Sequence, residues 1–242
     1  MHPRRSCHRF HPRRRFLNQL GCAGVLCLNA MRETATVSGG LFDSTVQEGG
    51  IWQGDDWGGW MTMDGGNVPA NWERESGVIH LRASPQRTGH IVTRDEFGDF
   101  TLTFDWKIAP GGNSGIKYRV QRYDDRLLGC EYQIYDAAGR EVDPKNRTGA
   151  IYDLYAADET IKPHPAGEWN RGKISLHENR IEHWLNDRII VTATIGDDEW
   201  ERRIMASKFN DVPQFAKNPQ GRIMLTDHGS EVWYRNLDFR EG

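Results

Sequence analysis

Cysteine is scarce in this sequence, and most of it lies near the N-terminus. Of the four cysteines among 242 residues, Cys7, Cys22 and Cys27 fall within the first 30 positions. Cys130 stands alone in the rest of the chain, so no internal disulfide is expected there. No neighbouring histidine marks it as an activated nucleophile, and a buried, inert thiol is expected. Cysteine clusters, His-x-x-x-His pairs and calcium-type acidic loops are also missing, so the sequence gives little indication of a metal centre.

Long apolar runs are absent as well. The run from Leu20 to Leu28 is too short to cross a bilayer, which needs about 20 apolar residues. It follows the basic string Arg13–Leu17 (Arg-Arg-Arg-Phe-Leu), which resembles a twin-arginine export signal. We predict that residues 1–33 are an export leader with a disordered tail, and that residues 34–242 form one domain in the periplasm or outside a bacterial cell. A disordered basic tail is the alternative, and no membrane span is predicted.

Basic residues are in the minority once this leader is set aside. The first 30 residues hold six arginines and no acid, while the remainder carries 25 basic and 34 acidic side chains, a net charge of −9. An acidic body of this kind disfavours nucleic acids and anionic membranes as partners. The nine tryptophans are compatible with a sugar binder, but buried tryptophans are usually ordinary core residues.

Helical periodicity is confined to one stretch, residues 198–209, and short alternating segments separated by turns dominate from Asn71 onward. In residues 100–106 the aromatic side chains and the leucine fall on one face of a strand. Residues 173–177, 180–185 and 189–194 predict a meander of three strands. Together these segments predict an all-β, two-sheet jelly-roll sandwich with one short surface helix near 198–209.

Two consecutive predicted strands, 115–121 and 130–135, alternate apolar with polar side chains. The apolar set belongs to the core of a sandwich, so the polar set lines its outer face. Neighbouring strands then place Lys117 and Arg119 beside Glu131 and Gln133. One interpretation is an exposed face with a cross-strand ion pair. The other is a functional site, because both strands show the same restriction to polar residues on that face.

The tripeptide Asp227–Gly229 (Asp-His-Gly) ends an apolar strand, where loops gather over a sheet. A lone histidine is more often structural, but His228 beside Asp227 can be held in one tautomer and serve as a base near neutral pH. His183 lies in the middle of a predicted strand and is a second candidate. Asp153 would either orient basic groups or cap a turn.

Several segments, in the same order, resemble the 3-keto-disaccharide hydrolase family. The resemblance covers roughly residues 40–240, which makes it more specific than any single motif. It is carried by Gly111–Arg119 with its Asn-Ser-Gly, Glu131–Ile134 with Glu-x-Gln, Gly149–Leu154, Pro165–Asn170, His183–Asn186, Leu225–Ser230 with Asp-His-Gly, and Trp233–Asn236. The sequence departs from the family at Thr226, where glutamine is typical, and at Asn186-Asp187, where Asn-Gly is typical. The first departure would alter polar contacts in the site.

The resemblance implies a concanavalin A-like jelly roll whose concave face holds a sugar already oxidised at C3. It also implies cleavage by a lyase and hydratase route in place of a displacement. A ketone at C3 acidifies the C2 hydrogen, so a base can remove it, the C1 substituent can leave, and water can add back. Such a site needs a base, a stabiliser for the enolate oxygen and a proton donor.

On this basis we predict His228 and Glu131 as base and acid, with Arg119 or Lys117 opposing the enolate charge. The residues expected to bind the sugar are Asn113, Ser114, Gln133, Asp153, Trp169, His183 and Asp227. No cofactor is firmly implied; a divalent metal would suit the chemistry, but no motif indicates one. The expected partner is a small oxidised glycoside, produced upstream by a glycoside 3-dehydrogenase.

Other functions fit the sequence less well. A retaining glycosidase needs two carboxylates about 5–5.5 Å apart. Glu131 and Asp136 are an odd number of positions apart on one strand and would point to opposite faces. A non-catalytic glycan-binding module of the same fold stays open, with Trp57, Trp60 and Trp169 as stacking platforms. A structural cell-surface protein is a third alternative, disfavoured because the sequence has no repeats, linkers or anchors.

Overall fold

Two antiparallel β-sheets pack face to face in the computed structural model, which describes residues 55–242. The predicted leader and the domain start at residue 34 lie outside the described residues and stay predictions. The elements are β1 (Trp60–Met61), β2 (Trp72–Glu75), β3 (Val78–Leu81), β4 (Ile91–Thr93), β5 (Phe100–Ile108), β6 (Asn113–Tyr123), β7 (Arg126–Tyr135), a 3₁₀ turn (Pro144–Asn146), β8 (Asn170–His177), β9 (Arg180–Leu185), β10 (Arg188–Thr194), α1 (Asp198–Met205), β11 (Arg222–Leu225) and β12 (Val232–Glu241).

The strands divide into a five-stranded sheet, β1-β4-β11-β6-β7, and a seven-stranded sheet, β10-β9-β8-β5-β12-β3-β2. All of these pairings are antiparallel. The chain crosses from the second sheet to the first between β5 and β6 and returns at β8, as it does in a jelly roll. The predicted all-β jelly-roll sandwich is confirmed.

The core lies between the two sheets, and its largest fully buried side chains are aromatic. In β5 every second residue is buried, from Phe100 to Ile108, as the alternation predicted. Phe100 meets the edge of Tyr118 with ring centroids 6.0 Å apart, and Phe104 meets Tyr132 at 5.3 Å. These contacts join β5 to β6 and β7 across the sandwich, so they also fix which face of β6 and β7 points outward.

The predicted helix is present but shorter than the 198–209 stretch. Asp197 accepts a hydrogen bond from the main-chain N–H of Trp200 and caps the N-terminus of α1. Trp200 and Ile204 are the buried residues of the helix, which makes it amphipathic. The helix ends before Ala206 and turns follow it, so Lys208 lies in a turn and not on the helix.

One irregularity in β6 matters for the site. The register between β6 and β7 shifts between Tyr118 and Gln121, and Arg119 has a φ of 51°, in the left-handed region. An extra residue of this kind, a β-bulge, takes its side chain out of the regular alternation. Lys117, which precedes the bulge, keeps the regular position opposite Glu131.

Candidate active site

Polar residues from β6 and β7 form adjacent pairs on the outer face of the five-stranded sheet. Lys117 pairs with Glu131 and Gly115 pairs with Gln133 in the antiparallel register. Ile116 and Tyr132, which lie between them, belong to the core, so alternation directs Lys117, Glu131 and Gln133 to the other face. The expected neighbourhood of these three side chains is therefore present.

Glu131 is a buried carboxylate that lacks a full set of partners. It is 6% exposed, and its Oε1 has no hydrogen-bond partner among the described residues. Its Oε2 lies 3.8 Å from Nζ of Lys117. Burial raises the pKa of Glu131, while the charges of Lys117 and Lys208 act in the opposite direction. A carboxylate held in this way is a stronger base than one in water.

Gly115 provides the space in which the Glu131 side chain lies. A Cβ atom at Gly115 would be 2.5 Å from Oε1 of Glu131 and 3.0 Å from the main-chain oxygen of Tyr132. A side chain at Gly115 would therefore displace the Glu131 carboxylate and press on the main chain of Tyr132. The Asn-Ser-Gly segment therefore contributes to the site through the missing side chain of its glycine.

The Asp-His-Gly loop brings His228 to the same face. The carboxylate of Asp227 accepts hydrogen bonds from the main-chain N–H groups of Thr88, Gly89 and Gly229. It therefore ties the loop after β11 to the segment before β4. Asp227 is 1% exposed and its oxygens are occupied, so it organises the loop and is not free to bind sugar, which corrects the sequence prediction.

His228 lies in a group of positively charged and imidazole side chains. Its ring meets that of His90 edge-on, with centroids 5.9 Å apart. Burial lowers the pKa of His228 to about 4, helped by His90, Lys117 and Arg87. The imidazole is therefore neutral at pH 7. Lys117 acts on both His228 and Glu131, so it links the two sides of the cluster.

Asn113 and Gln133 extend the cluster along β6 and β7. Gln133 Nε2 donates to Oδ1 of Asn113 and to the main-chain oxygen of Asn146, each at 3.4 Å. These long, weak bonds are ones that a sugar hydroxyl would readily replace. Asp153 is near the same edge, where its carboxylate accepts from the Lys208 N–H at 2.8 Å and from Nζ of Lys145 at 3.4 Å.

Arg119 is not part of this cluster. Its Nη1 donates to Oδ1 of Asn179, in the turn between β8 and β9, and to the main-chain oxygen of Ala216. The side chain is 3% exposed, and the carboxylate nearest to it is that of Asp99, at 4.0 Å. The expectation that Arg119 joins Glu131 and His228 is thus corrected: the bulge turns it toward the other sheet, and Lys117 is the cation beside Glu131.

Ser114 and His183 are core residues, so the prediction that they bind sugar is corrected. Both are fully buried between the sheets. Ser114 Oγ donates to the main-chain oxygen of Thr226 and lies 2.9 Å from the Tyr234 hydroxyl. His183 lies 2.9 Å from both the Tyr118 hydroxyl and the Gly149 oxygen, and burial lowers its pKa to about 4. The Gly149 oxygen only accepts, so the ring carries its proton on Nδ1.

Trp169 lies against the seven-stranded sheet, away from Glu131. It directly precedes β8, and its ring is contacted by Arg235 at 4.0 Å and Lys107 at 5.2 Å. Both cations belong to strands of that sheet, β12 and β5. The prediction that Trp169 holds the substrate ring in the same site is therefore corrected.

Among residues 55–242, no group of three or more His, Cys, Asp or Glu side chains is arranged to hold a metal ion. Within the same residues, no helix is long and apolar enough to span a bilayer. Cys130 is buried and its thiol pKa is raised by burial to about 12, so it is inert, as expected.

Comparison with known proteins identifies the family of this chain. The family described as the 3-keto-alpha-glucoside-1,2-lyase-like domain matches residues 41–240. The chain belongs to this family. A 3-keto-disaccharide hydrolase from Bacteroides thetaiotaomicron is 28% identical over 221 residues, covering 77% of this chain and 76% of that protein.

Two solved structures from Parabacteroides distasonis, both described as candidate glycosyl hydrolases, share the fold of this chain. One is 29% identical with a TM-score of 0.70, covering 79% of this chain and 92% of its own. The other is 24% identical with a TM-score of 0.58, covering 76% and 99%. The second likeness supports the fold alone.

Thr226, the position at which the sequence was expected to depart from the family, has its side chain engaged within the protein. Thr226 is fully buried, and its hydroxyl donates to the Gly115 main-chain oxygen at 3.3 Å. The side chain therefore supports β6 instead of reaching a ligand.

Sequence reasoning missed two residues of this cluster, His90 and Lys208. His90 stands directly before β4, and it meets His228 only because β4 and β11 are neighbours, which the sequence order does not reveal. Lys208 lies 4.0 Å from the Tyr152 ring centroid, and its charge opposes the rise in the pKa of Glu131. For His90, the alternation within residues 89–94 was the available signal; for Lys208 there was none.

Proposed function

We propose that this chain cleaves 3-keto-glycosides by taking a proton from C2, eliminating the C1 substituent and adding water to the product. Membership of the family supports activity on 3-keto sugars in general, and the Bacteroides relative is named for such hydrolysis. The observation that carries the finer mechanism is the Glu131 carboxylate, buried with one oxygen unpartnered and the other 3.8 Å from Lys117.

Glu131 is the base. A ketone at C3 makes the C2 hydrogen acidic, yet a carboxylate of ordinary pKa is a weak base for it. Burial raises the pKa of Glu131 and so moves its basicity toward the working pH. The Glu131 carboxylate accepts the proton.

Lys117 stabilises the enolate. Removal of the C2 proton places negative charge on the C3 oxygen. Lys117 lies 3.8 Å from Glu131, and its charge acts on both histidines. When Glu131 takes the proton it becomes neutral, so Lys117 loses its anionic neighbour as the enolate appears. The attraction between Lys117 and the substrate is therefore greatest in the transition state, where it accelerates the reaction.

The leaving group departs from C1, next to the carbon that lost its proton. The enolate pair forms the C1–C2 double bond as the C1–O bond breaks, and protonated Glu131 returns its proton to the departing oxygen. Neutral His228 contributes a hydrogen bond there, since a pKa of about 4 leaves no imidazolium to supply a proton at pH 7. Water then adds its hydroxyl to C1 and a proton to C2, which completes a net hydrolysis.

Gln133 and Asn113 bind the hydroxyls of the reacting sugar. Gln133 donates a weak hydrogen bond of 3.4 Å to Asn113. It lies two positions after Glu131 on β7, so both side chains are on the outer face of the sheet. The ketone itself has to be made by an oxidation at C3, so a glycoside 3-dehydrogenase is the class of enzyme that supplies the substrate.

The glycan-binding alternative has little support in the geometry. Of its three proposed tryptophans, Trp60 is buried in the core and Trp169 lies by the seven-stranded sheet under two cations. Neither is positioned to stack on a sugar beside Glu131.

The test compares oxidised with unoxidised sugar. The purified protein is offered 3-keto-trehalose and trehalose in D₂O, with Glu131→Gln as the matched variant. We expect turnover of the keto sugar alone, deuterium at C2 of the released 3-keto-glucose, and at least 10²-fold slower reaction by Glu131→Gln. Turnover of trehalose, or product without deuterium at C2, would refute the elimination route.

A further inference from the structure

His90 has a fixed orientation on the outer face of the five-stranded sheet. It directly precedes Ile91, a core residue. Val92, two positions after His90 and therefore on the same face, packs with Met224 in a small cluster on the outer side of the sheet. Its Nδ1 accepts a hydrogen bond of 2.9 Å from the main-chain N–H of Asp227. That N–H belongs to the loop which carries His228, so one bond fixes both the ring and the loop.

The bond from Asp227 also determines the tautomer of His90. An N–H group only donates, so Nδ1 must carry the lone pair and the neutral ring must carry its proton on Nε2. No hydrogen bond joins Nε2 to another residue in the described part of the chain. Burial lowers the pKa of His90 to about 4, helped by Lys117 and Arg87, so the ring stays neutral at pH 7 and keeps this single donor.

The charged side chains that act on His90 in the described part of the chain are mostly cationic. Lys117, Arg87 and His228 are close enough to act on its charge or contact its ring. The nearest carboxylate, Asp227, already accepts three main-chain N–H groups. A corner of this composition suits an oxygen atom that gains negative charge, because an imidazole with a free N–H can stabilise that charge without transferring its proton.

We propose that His90 is a further catalytic residue, whose Nε2–H donates a hydrogen bond to the C3 oxygen of the 3-keto sugar as that oxygen becomes an enolate. The inference rests on the proposed function. Lys117 supplies the charge at this oxygen, and His90 supplies the directional bond. The proton stays on Nε2 throughout, so His90 is an electrophile and neither the base nor the acid.

Two substitutions separate the two nitrogens of the ring. His90→Asn places an amide oxygen near the position of Nδ1, keeps the bond from Asp227 and removes the Nε2 donor. His90→Gln places an amide N–H near the position of Nε2. We expect kcat on 3-keto-trehalose to fall about 10²-fold in His90→Asn, as for loss of one oxyanion donor, and less than about tenfold in His90→Gln. His80→Asn, on the seven-stranded sheet, is the control and should match wild type.

Stability and kcat per folded molecule distinguish a catalytic role of His90 from a structural one. A merely structural His90 would lower the melting temperature of both variants and leave kcat per folded molecule unchanged. If folded His90→Asn has the kcat of the wild-type protein, the inference is wrong. The proposed function would still stand, because the wild-type protein turns over the keto sugar. Absence of turnover by wild type itself would remove the proposed function, and the role of His90 with it.

Discussion

At the scale of single residues, the unusual feature is a carboxylate buried between two lysines. Ionised Glu131 is unfavourable in the fold because burial outweighs the attraction of Lys117 and Lys208, so its pKa is raised. The folded protein therefore binds a proton at Glu131 more tightly than the unfolded chain does. Stability is lost as the pH rises from the unfolded pKa through the folded one, and the loss persists above it.

Glu131→Gln should stabilise the protein while slowing its reaction. The amide carries no charge, so the cost of burying a carboxylate disappears, and we expect a gain of ~1 kcal/mol in the free energy of unfolding at pH 7. The gain should shrink at pH 4, where wild-type Glu131 is protonated. Urea unfolding at both pH values measures it; lower stability at pH 7 would show that the Lys117 pair stabilises the fold.

The pH profile of kcat/KM distinguishes the two candidate bases. If Glu131 takes the proton, the acid limb should lie above the ordinary range of a glutamate, because that limb reports the base of the free enzyme. His228, whose pKa is about 4, would give a limb near pH 4 that survives in Glu131→Gln. Rates with 3-keto-trehalose over pH 3–9 decide between the two.

Gly115→Ala tests the space that Glu131 needs. The new Cβ would lie 2.5 Å from Oε1 and 3.0 Å from the Tyr132 oxygen, so the carboxylate must move. We expect kcat to fall at least about tenfold, because an error of about 1 Å in a catalytic group has effects of that order or larger. Gly58→Ala, at an exposed position without a positive φ where the new Cβ would meet only the flexible Asp56 carboxylate, is the control for alanine itself. Unchanged kcat would mean that the position of Oε1 does not matter.

At the scale of elements, the alternation of side chains was predictable and the departures from it were not. The pairing of Lys117 with Glu131 followed from the period of two in adjacent strands. Arg119 follows the same pattern in sequence, yet one bulged residue turns it to the other sheet. Nothing in residues 115–121 marks the bulge, because the conformation depends on pairing with β7 and β11.

The loops were harder to predict for a related reason. Asp227 and His228 are adjacent in sequence, and both were expected in the site, His228 as base or acid and Asp227 as a ligand of the sugar. The structure separates them, because the Asp227 carboxylate is occupied by three main-chain donors, two of them from residues almost 140 positions away. Hydrogen bonds between residues so far apart in sequence can be predicted only when β4 and β11 are known to be neighbours.

Asp227→Asn should therefore act through the two loops that Asp227 joins. The amide retains one acceptor oxygen and brings an NH₂ group toward main-chain donors, so we expect a loss of ~2–4 kcal/mol in stability. Activity should fall in the folded protein as well, because His90 and His228 lose their anchor. Thermal unfolding combined with kcat at a temperature where the variant is folded measures both. A variant of wild-type stability would contradict the structural role.

At the scale of the whole molecule, the two sheets have different outer faces. The five-stranded sheet carries the unsatisfied Glu131 and the free donor of His90. On the seven-stranded sheet the tryptophans are already engaged: Lys107 lies 4.2 Å from the Trp233 ring, Lys173 lies 3.3 Å from that of Trp184, and Arg235 lies 4.0 Å from that of Trp169. Interactions that are satisfied within the protein stabilise the fold and leave little for a ligand.

Trp169→Ala is consequently expected to leave catalysis intact, although this residue lies in a family-like segment. Loss of its two cation contacts and of partly buried area should lower stability by ~1–2 kcal/mol. Both kcat and KM for 3-keto-trehalose should stay within about twofold of wild type, whereas Lys117→Gln should lower kcat about 10²-fold or more. A tenfold rise in KM for Trp169→Ala would place the substrate on the seven-stranded sheet instead. Trp169 is far from the Glu131 carboxylate, so its loss would weaken substrate binding only if the substrate stacks on the indole.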